Sequence, residues 1–116
     1  MERQSPSDAA DIVHELRTAL SPALNYGPSL IPLDILVAVT RANNAKRPMT
    51  VKKLCEILPY SVTGIRYNIA QLIENEWLRK TRYQEDRRVV HLLPTEQGKR
   101  ALSQVCDRLS DYRIWR

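Results

Sequence analysis

Two short helical patterns separated by a proline are the feature that most restricts what this chain can fold into. The first covers residues 51–58, and Thr50 precedes it as an N-cap. Pro59 ends it, and Ser61 then caps a second helix over 62–76. Two short helices joined by a tight turn predict a helix-turn-helix, in which the second helix can enter the major groove of DNA.

The second helix carries a regular aliphatic stripe. Ile65, Ile69, Leu72 and Ile73 follow the spacing i, i+4, i+7 and i+8, which turns one face toward the core. The opposite face is then free, and Arg66 on it can donate two hydrogen bonds to a guanine. We predict major-groove contacts from this helix and its cap, although an ordinary solvated face is the alternative; the residues are Ser61, Thr63, Gly64, Arg66, Tyr67 and Ala70.

The remaining elements complete a mainly α fold with a small β-hairpin, in the order α-α-α-α-β-β-α. Periodicity, caps and breakers predict helices over residues 8–20, 33–43, 51–58, 62–76 and 95–111, and strands over 77–83 and 89–93. The charged residues 84–88 between the strands predict an exposed hairpin tip, or wing. We expect a flexible arm over 1–7, a single domain over 8–112 and a tail over 113–116.

Charge is divided unevenly along the chain. Residues 1–45 hold three Lys/Arg against five Asp/Glu, a net charge of −2, whereas residues 46–116 hold fifteen against eight, a net charge of +7. A basic half of this kind favours a polyanionic partner. The predicted phosphate contacts, which are equally compatible with solvated helix charges, are Lys46, Arg47, Thr50, Lys52 and Lys53.

The wing and the last helix each suggest a further role. Arg87 and Arg88 stand at the predicted tip, where a thin ribbon can reach the minor groove, although an exposed hairpin of mixed charge is a serious alternative. In the last helix apolar residues repeat in steps of 3, 4 and 3, the spacing of a helix-pairing seam. The predicted dimerisation residues are Ile12, Leu16, Leu102, Val105, Leu109 and Tyr112.

Several functions are disfavoured by the sequence. His14 and His91 belong to no metal or catalytic spacing, and no nucleophile set or phosphate loop is present, so we expect no enzyme, metal or cofactor. Cys55 and Cys106 are expected to be buried, reduced thiols rather than redox sensors. A polar start and the lack of a long apolar run predict a cytoplasmic protein without membrane association.

From about residue 12 to 110 the chain resembles the MarR family of winged-helix regulators. The resemblance is most specific in the segment IRYNIAQLIENEWL, in Asp86-Arg87-Arg88 between two strands, and in the exit Leu93-Pro94-Thr95-Glu96-Gln97-Gly98. Thr50-Val51-Lys52-Lys53-Leu54 is similar to the family's opening of the first helix of the helix-turn-helix.

This resemblance implies a homodimer that binds a near-palindromic site in double-stranded DNA and represses transcription by occlusion, with Asp86 orienting a wing arginine. A small-molecule effector is possible in such a family, but no residues here converge on one. The chain departs from the family in having Glu76 where glycine often ends the recognition helix, which suggests a different helix end, and in stopping at Arg116 after one helix. The alternative function is a winged-helix protein-interaction module without sequence-specific DNA binding.

Overall fold

The computed structural model of the protein describes residues 29–83 and 86–110, together with Ala10, Asp11 and His14. Its elements are α1 (Ile31–Asn44), β1 (Met49–Thr50), α2 (Val51–Ile57), α3 (Val62–Glu74), β2 (Leu78–Tyr83), β3 (Asp86–Pro94) and α4 (Glu96–Ser110). The predicted fold class is confirmed. Ala10, Asp11 and His14 are helical, and the rest of the helix predicted over 8–20 lies outside the described residues.

A third strand, β1, was not predicted. It joins the antiparallel sheet in the order β1-β3-β2, with Met49 paired to Leu92 and Thr50 to His91. Two residues are too few to show the alternation of apolar and polar side chains that identifies a strand in a sequence. The added strand ties the start of α2 to the hairpin.

The range predicted for the hairpin tip extends too far toward the C-terminus. Strand β3 begins at Asp86, so the last three residues of the predicted tip, 86–88, belong to the strand. Arg82 pairs with Val90 while its neighbour Tyr83 pairs with Asp86, which is a register irregularity typical of a bulge. The tip was overestimated because backbone pairing continues beyond the point where the apolar alternation stops.

Contacts within the chain group Ser29–Arg100 into one compact unit, which contains the helix-turn-helix and the sheet. Helix α1 packs against α3 and β3, and α3 packs against α2 and β2. The buried apolar residues of this unit are Ile35, Leu36, Val39, Leu54, Ile65, Ile69, Leu72, Trp77, Leu78 and Leu92. In the second unit, to which α4 belongs from Ala101 onward, Ala101 and Val105 are buried.

Helices α1 and α3 end in the same hydrogen-bonded motif, and both do so without glycine. After α3, the Glu76 amide donates to the Ile73 carbonyl at 3.0 Å and the Trp77 amide to the Leu72 carbonyl at 2.9 Å, which is a Schellman motif. Glu76 has φ 64°, in the left-handed region. The prediction that this helix ends differently from those of the family is therefore wrong, because Glu76 adopts the left-handed conformation that glycine usually takes.

Replacing Glu76 with glycine should raise the free energy of unfolding by about 0.5–1 kcal/mol, because the left-handed conformation is strained for a residue with a Cβ. Urea unfolding followed by circular dichroism measures the change. Glu74→Gly is the control: Glu74 is the last residue of α3, so glycine there should instead destabilise the protein, by up to about 1 kcal/mol. Equal signs for the two variants would contradict this account.

Candidate nucleic-acid interface

Helix α3 is fixed by its cap and its buried face. The Ser61 hydroxyl accepts a hydrogen bond from the Gly64 amide at 3.0 Å, which confirms the predicted N-cap. Ile65 and Leu72 are fully buried and Ile69 nearly so, while Ile73 is half-buried. The inward orientation of the aliphatic stripe is thereby confirmed.

The face of α3 opposite this stripe is not covered by any residue that the structure describes. Ser61, Thr63, Arg66 and Ala70 are exposed, and Tyr67 keeps 64% of its surface accessible. Thr63, Arg66, Tyr67 and Ala70 share one side of the first three helical turns, the part of a recognition helix that meets base edges, and Ser61 lies at the helix start. The structure thus brings together the predicted major-groove residues except Gly64, which is half-buried.

Gly64 has a local role in the start of α3. A Cβ at this position would lie 3.0 Å from the Ser61 Oγ and 4.0 Å from the Ile31 Cδ1. The missing side chain therefore leaves room for the capping hydroxyl, whereas the distance to Ile31 is an ordinary van der Waals contact. Close approach of DNA to Gly64 stays a prediction.

The start of α2 places four basic side chains around a second cap. The Thr50 Oγ1 accepts from the Lys53 amide at 3.0 Å, as the sequence predicted for an N-cap. Lys46, Arg47, Lys52 and Lys53 are all exposed, and Lys46 holds the left-handed position after α1 with φ 59°. These side chains lie near one another along the chain, on the turn and the first turn of α2 that precede the recognition helix.

The wing contributes further positive charge. Arg79, Lys80 and Arg82 on β2 are exposed, and so is Arg88 on β3. Arg88 lies within the irregular stretch between the partners of Arg82 and Tyr83. The side chains of Asp86 and Arg87 lie outside the described residues, so the orienting role of Asp86 stays a prediction.

A hydrogen bond fastens the turn of the helix-turn-helix to α1. The Tyr60 hydroxyl donates to the Asp34 Oδ2, and Asp34 lies in the first turn of α1. This hydrogen bond, together with partial burial and the nearby carboxylate charge, raises the pKa of Tyr60 above its ordinary value. The bond thus ties the turn between α2 and α3 to the first turn of α1.

Tyr60→Phe should lower the free energy of unfolding by about 1 kcal/mol at pH 7, because it removes a hydrogen bond to a charged group. Since the folded-state pKa is raised, the contribution of Tyr60 is fully present below about pH 10 and is lost as pH rises through the folded pKa. Urea unfolding at pH 7 measures the loss. Tyr67→Phe, at an exposed tyrosine, is the control and should change stability by less than about 0.5 kcal/mol; a loss as large as that of Tyr60→Phe would contradict the assignment.

One exposed residue of α3 was not among the contacts predicted from the sequence. Val62, the first residue of α3, keeps 51% of its surface accessible. Hydrophobicity alone suggests an inward position for valine. Its spacing of i+3 to Ile65 and i+7 to Ile69 also puts it in phase with the buried stripe, so only its place directly after the N-cap could have signalled its exposure.

The two cysteines and the predicted dimerisation residues differ in their exposure. Cys55 is half-buried, and Cys106 is exposed, so the expectation of a buried thiol at Cys106 is wrong. On α4 Leu102 is half-buried and Val105 buried, while the side chains of Ile12, Leu16, Leu109 and Tyr112 lie outside the described residues.

In the described part of the chain no cluster of three or more His, Cys, Asp or Glu could hold a metal ion. No described helix is long and apolar enough to span a bilayer.

A helix-turn-helix followed by a basic β-hairpin, with a short strand before it that completes a three-stranded sheet, defines the winged helix-turn-helix class. Residues 32–98 match the family described as winged helix DNA-binding domain. The chain belongs to this family.

A curated relative aligns with part of the chain. A curated protein of Bacillus subtilis, the uncharacterized HTH-type transcriptional regulator YpoP, is 28% identical over 74 residues, which are 64% of this chain and 52% of that protein. The chain thus spans about half the length of this relative.

Solved structures share the fold at low identity. A MepR mutant from S. aureus bound to an oligodeoxyribonucleotide superposes with TM-score 0.74 and 11% identity, covering 90% of this chain and 72% of that one. A mutant MarR from E. coli complexed with operator DNA gives TM-score 0.65 and 17% identity over 92% and 72%. A MarR family transcriptional regulator from Streptomyces coelicolor in complex with DNA gives 0.65 and 19% over 92% and 64%. The fold resemblance to MarR regulators is confirmed.

Proposed function

We propose that this protein is a transcriptional regulator that binds double-stranded DNA sequence-specifically, as a homodimer, and represses by occluding its site. The single observation that carries the proposal is the recognition helix: α3 buries Ile65, Ile69 and Leu72 while its opposite face stays exposed. A helix held in this way presents its side chains to a groove without rearrangement, which keeps the entropic cost of binding low.

On this face Arg66 is the principal base reader. Its guanidinium is exposed and is long enough to donate two hydrogen bonds to O6 and N7 of a guanine. Thr63 and Tyr67 supply hydroxyl groups, and Ala70 a methyl group, on either side of it. The Ser61 hydroxyl accepts from the Gly64 amide and keeps its own hydrogen, which it can donate to DNA at the helix start.

The charge at the helix starts supports a polyanion on this side. Helices α1 and α4 each have an acidic residue in the first turn, Asp34 and Glu96, as helices usually do. Helices α2 and α3 have none. Acidic residues are absent from the first turns where a phosphate backbone would approach, and Lys52 and Lys53 lie there instead on α2. Lys46, Arg47 and Thr50 complete the proposed phosphate contacts.

The wing is proposed to enter the minor groove. Arg88 is exposed on the strand, and Arg87 precedes it with Asp86 as the orienting residue. The bulge between the partners of Arg82 and Tyr83 supports this role, since bulges re-aim side chains at functional sites. A narrow minor groove attracts guanidinium groups because its negative potential is enhanced.

Dimerisation through the seam of α4 and the N-terminal segment would place two recognition helices about one helical turn of DNA apart. Such an arrangement requires a near-palindromic site. The structures of relatives in complex with DNA support this mode of action for a chain of the same fold.

A salt series separates this function from a protein-interaction module. Affinity for a random-sequence duplex is measured by fluorescence anisotropy from about 50 to 200 mM salt, with each phosphate contact adding about −0.9 to the slope of log K against log salt. The four basic contacts proposed around α2 predict a slope of about −3.6 per protomer, and wing contacts would make it steeper. The double variant Lys52→Ala, Lys53→Ala should flatten the slope by about 2. No measurable affinity at the lowest salt would reject DNA binding.

A further inference from the structure

Val62 is an exposed apolar side chain at the leading end of the recognition helix. It is the first residue of α3, directly after the Ser61 cap, and 51% of its surface is accessible. Arg66 lies one turn further on, about 40° around the helix axis, and Ile69 lies about 20° from Val62 on the other side, so Val62 stands at the border between the exposed face and the buried stripe. Because Val62 is the first helical residue and about half of its surface is accessible, it belongs to the N-terminal part of the helix, which makes base contacts in a recognition helix.

The chemistry of valine restricts what it can recognise there. An isopropyl group neither donates nor accepts a hydrogen bond, so it gains nothing from a phosphate oxygen or from the polar edge of a base. In the major groove the C5-methyl group of thymine is the one apolar group that a base pair presents. A valine in the groove therefore discriminates between thymine and the other bases by apolar contact.

The conformation of Val62 also suits this role. A β-branched side chain in a helix has one strongly preferred χ1 rotamer, so both methyl groups are held in place before DNA arrives. Little side-chain entropy is then lost on binding. The apolar contact and the arginine one turn later read neighbouring bases from one rigid surface.

We infer that Val62 is a specificity-determining residue that reads a thymine methyl group in each half-site, beside the base read by Arg66. This inference rests on the proposed function, because it requires α3 to enter the major groove.

The test replaces thymine by deoxyuridine, which removes the methyl group and leaves base pairing intact. A duplex enriched from a random pool by the full-length protein is resynthesised with deoxyuridine at each thymine position in turn, symmetrically in both half-sites. Burial of one methyl group is worth about 0.8 kcal/mol, which corresponds to about a fourfold loss of affinity per half-site at one position. The other thymine positions should respond less.

Variants identify the protein partner of that methyl group. Val62→Ala should weaken binding to the thymine duplex and bring the thymine-to-deoxyuridine ratio at that position close to one, in a double-mutant cycle. Ile57→Ala is the matched control, because Ile57 is also exposed, at 47%, but lies on α2. This control should leave the ratio unchanged. Circular dichroism verifies folding, which alanine at an exposed helical position favours.

Each other outcome has a definite meaning. Tight binding without loss at any deoxyuridine position overturns the methyl-reading inference and leaves the proposed function intact. A ratio that Val62→Ala does not change overturns the assignment to Val62. If no duplex is enriched or bound at all, the proposed function itself fails, and the inference fails with it.

Discussion

Gly98→Ala is expected to lower the free energy of unfolding by about 2–3 kcal/mol, although alanine is the better helix former. A Cβ at position 98 would lie 2.4 Å from the Trp77 carbonyl oxygen and 3.3 Å from the Leu36 Cδ1. The Trp77 carbonyl already accepts from the Thr95 amide at 3.1 Å, and the Trp77 amide closes the end of α3. Relief of the clash would therefore displace the end of the recognition helix.

Helix propensity alone predicts the opposite sign, a gain of about 1 kcal/mol for alanine over glycine, so the sign of the change is diagnostic. Thermal and urea unfolding followed by circular dichroism give the measurement. Gln97→Ala, at the exposed preceding position, is the control and should change stability by no more than about 0.5 kcal/mol. A Gly98→Ala variant as stable as the unmodified protein would contradict the close packing of α4 on Trp77.

Arg66→Ala is expected to weaken binding to the preferred duplex by about 1–3 kcal/mol and to relax the preference at one base pair of each half-site. The reason is the loss of two hydrogen bonds to guanine, while the phosphate contacts of α2 remain. Competition titrations with the preferred duplex and a scrambled duplex of equal composition measure affinity and preference together.

The variant Lys52→Ala distinguishes a phosphate contact from base recognition. Loss of an exposed lysine at the start of α2 should weaken binding to both duplexes by the same factor and reduce the salt slope by about 1. If Arg66→Ala instead weakened both duplexes equally, the guanidinium would be a phosphate contact, and the assigned groove face would need revision.

The helix-turn-helix could be predicted because its two helices are bounded by residues with a physical reason to begin or end them. Thr50 and Ser61 cap through side-chain oxygens, and Pro59 cannot continue α2. Capping of this kind depends only on a few neighbouring residues. Strand β1 depends on distant ones, because its two residues form a strand only through pairing with His91 and Leu92.

Long-range packing also decided the conformations that the sequence did not predict. Glu76 is left-handed because the buried Trp77 and its hydrogen bond to Leu72 close the helix, a demand that overrides the preference of glutamate. The packing role of Gly98 depends in the same way on a carbonyl group twenty-one positions earlier.

In the candidate site, too, local periodicity could be predicted and long-range packing could not. The exposure of Arg66 and Tyr67 could be predicted from the periodicity of the aliphatic stripe, which fixes the phase of the helix. The exposure of Val62 could not be predicted from hydrophobicity, since it depends on where the helix begins relative to the core. The dimer seam stays a prediction because pairing depends on a second chain.

The central claim is that the exposed face of α3 reads the sequence of a duplex, and selection from a random pool tests it most directly. The full-length protein is incubated with random double-stranded DNA, and bound duplexes are recovered and sequenced over several rounds. We predict enrichment of two inverted half-sites with centres about 10–11 base pairs apart. A pool that stays random after repeated rounds would contradict sequence-specific recognition by this protein.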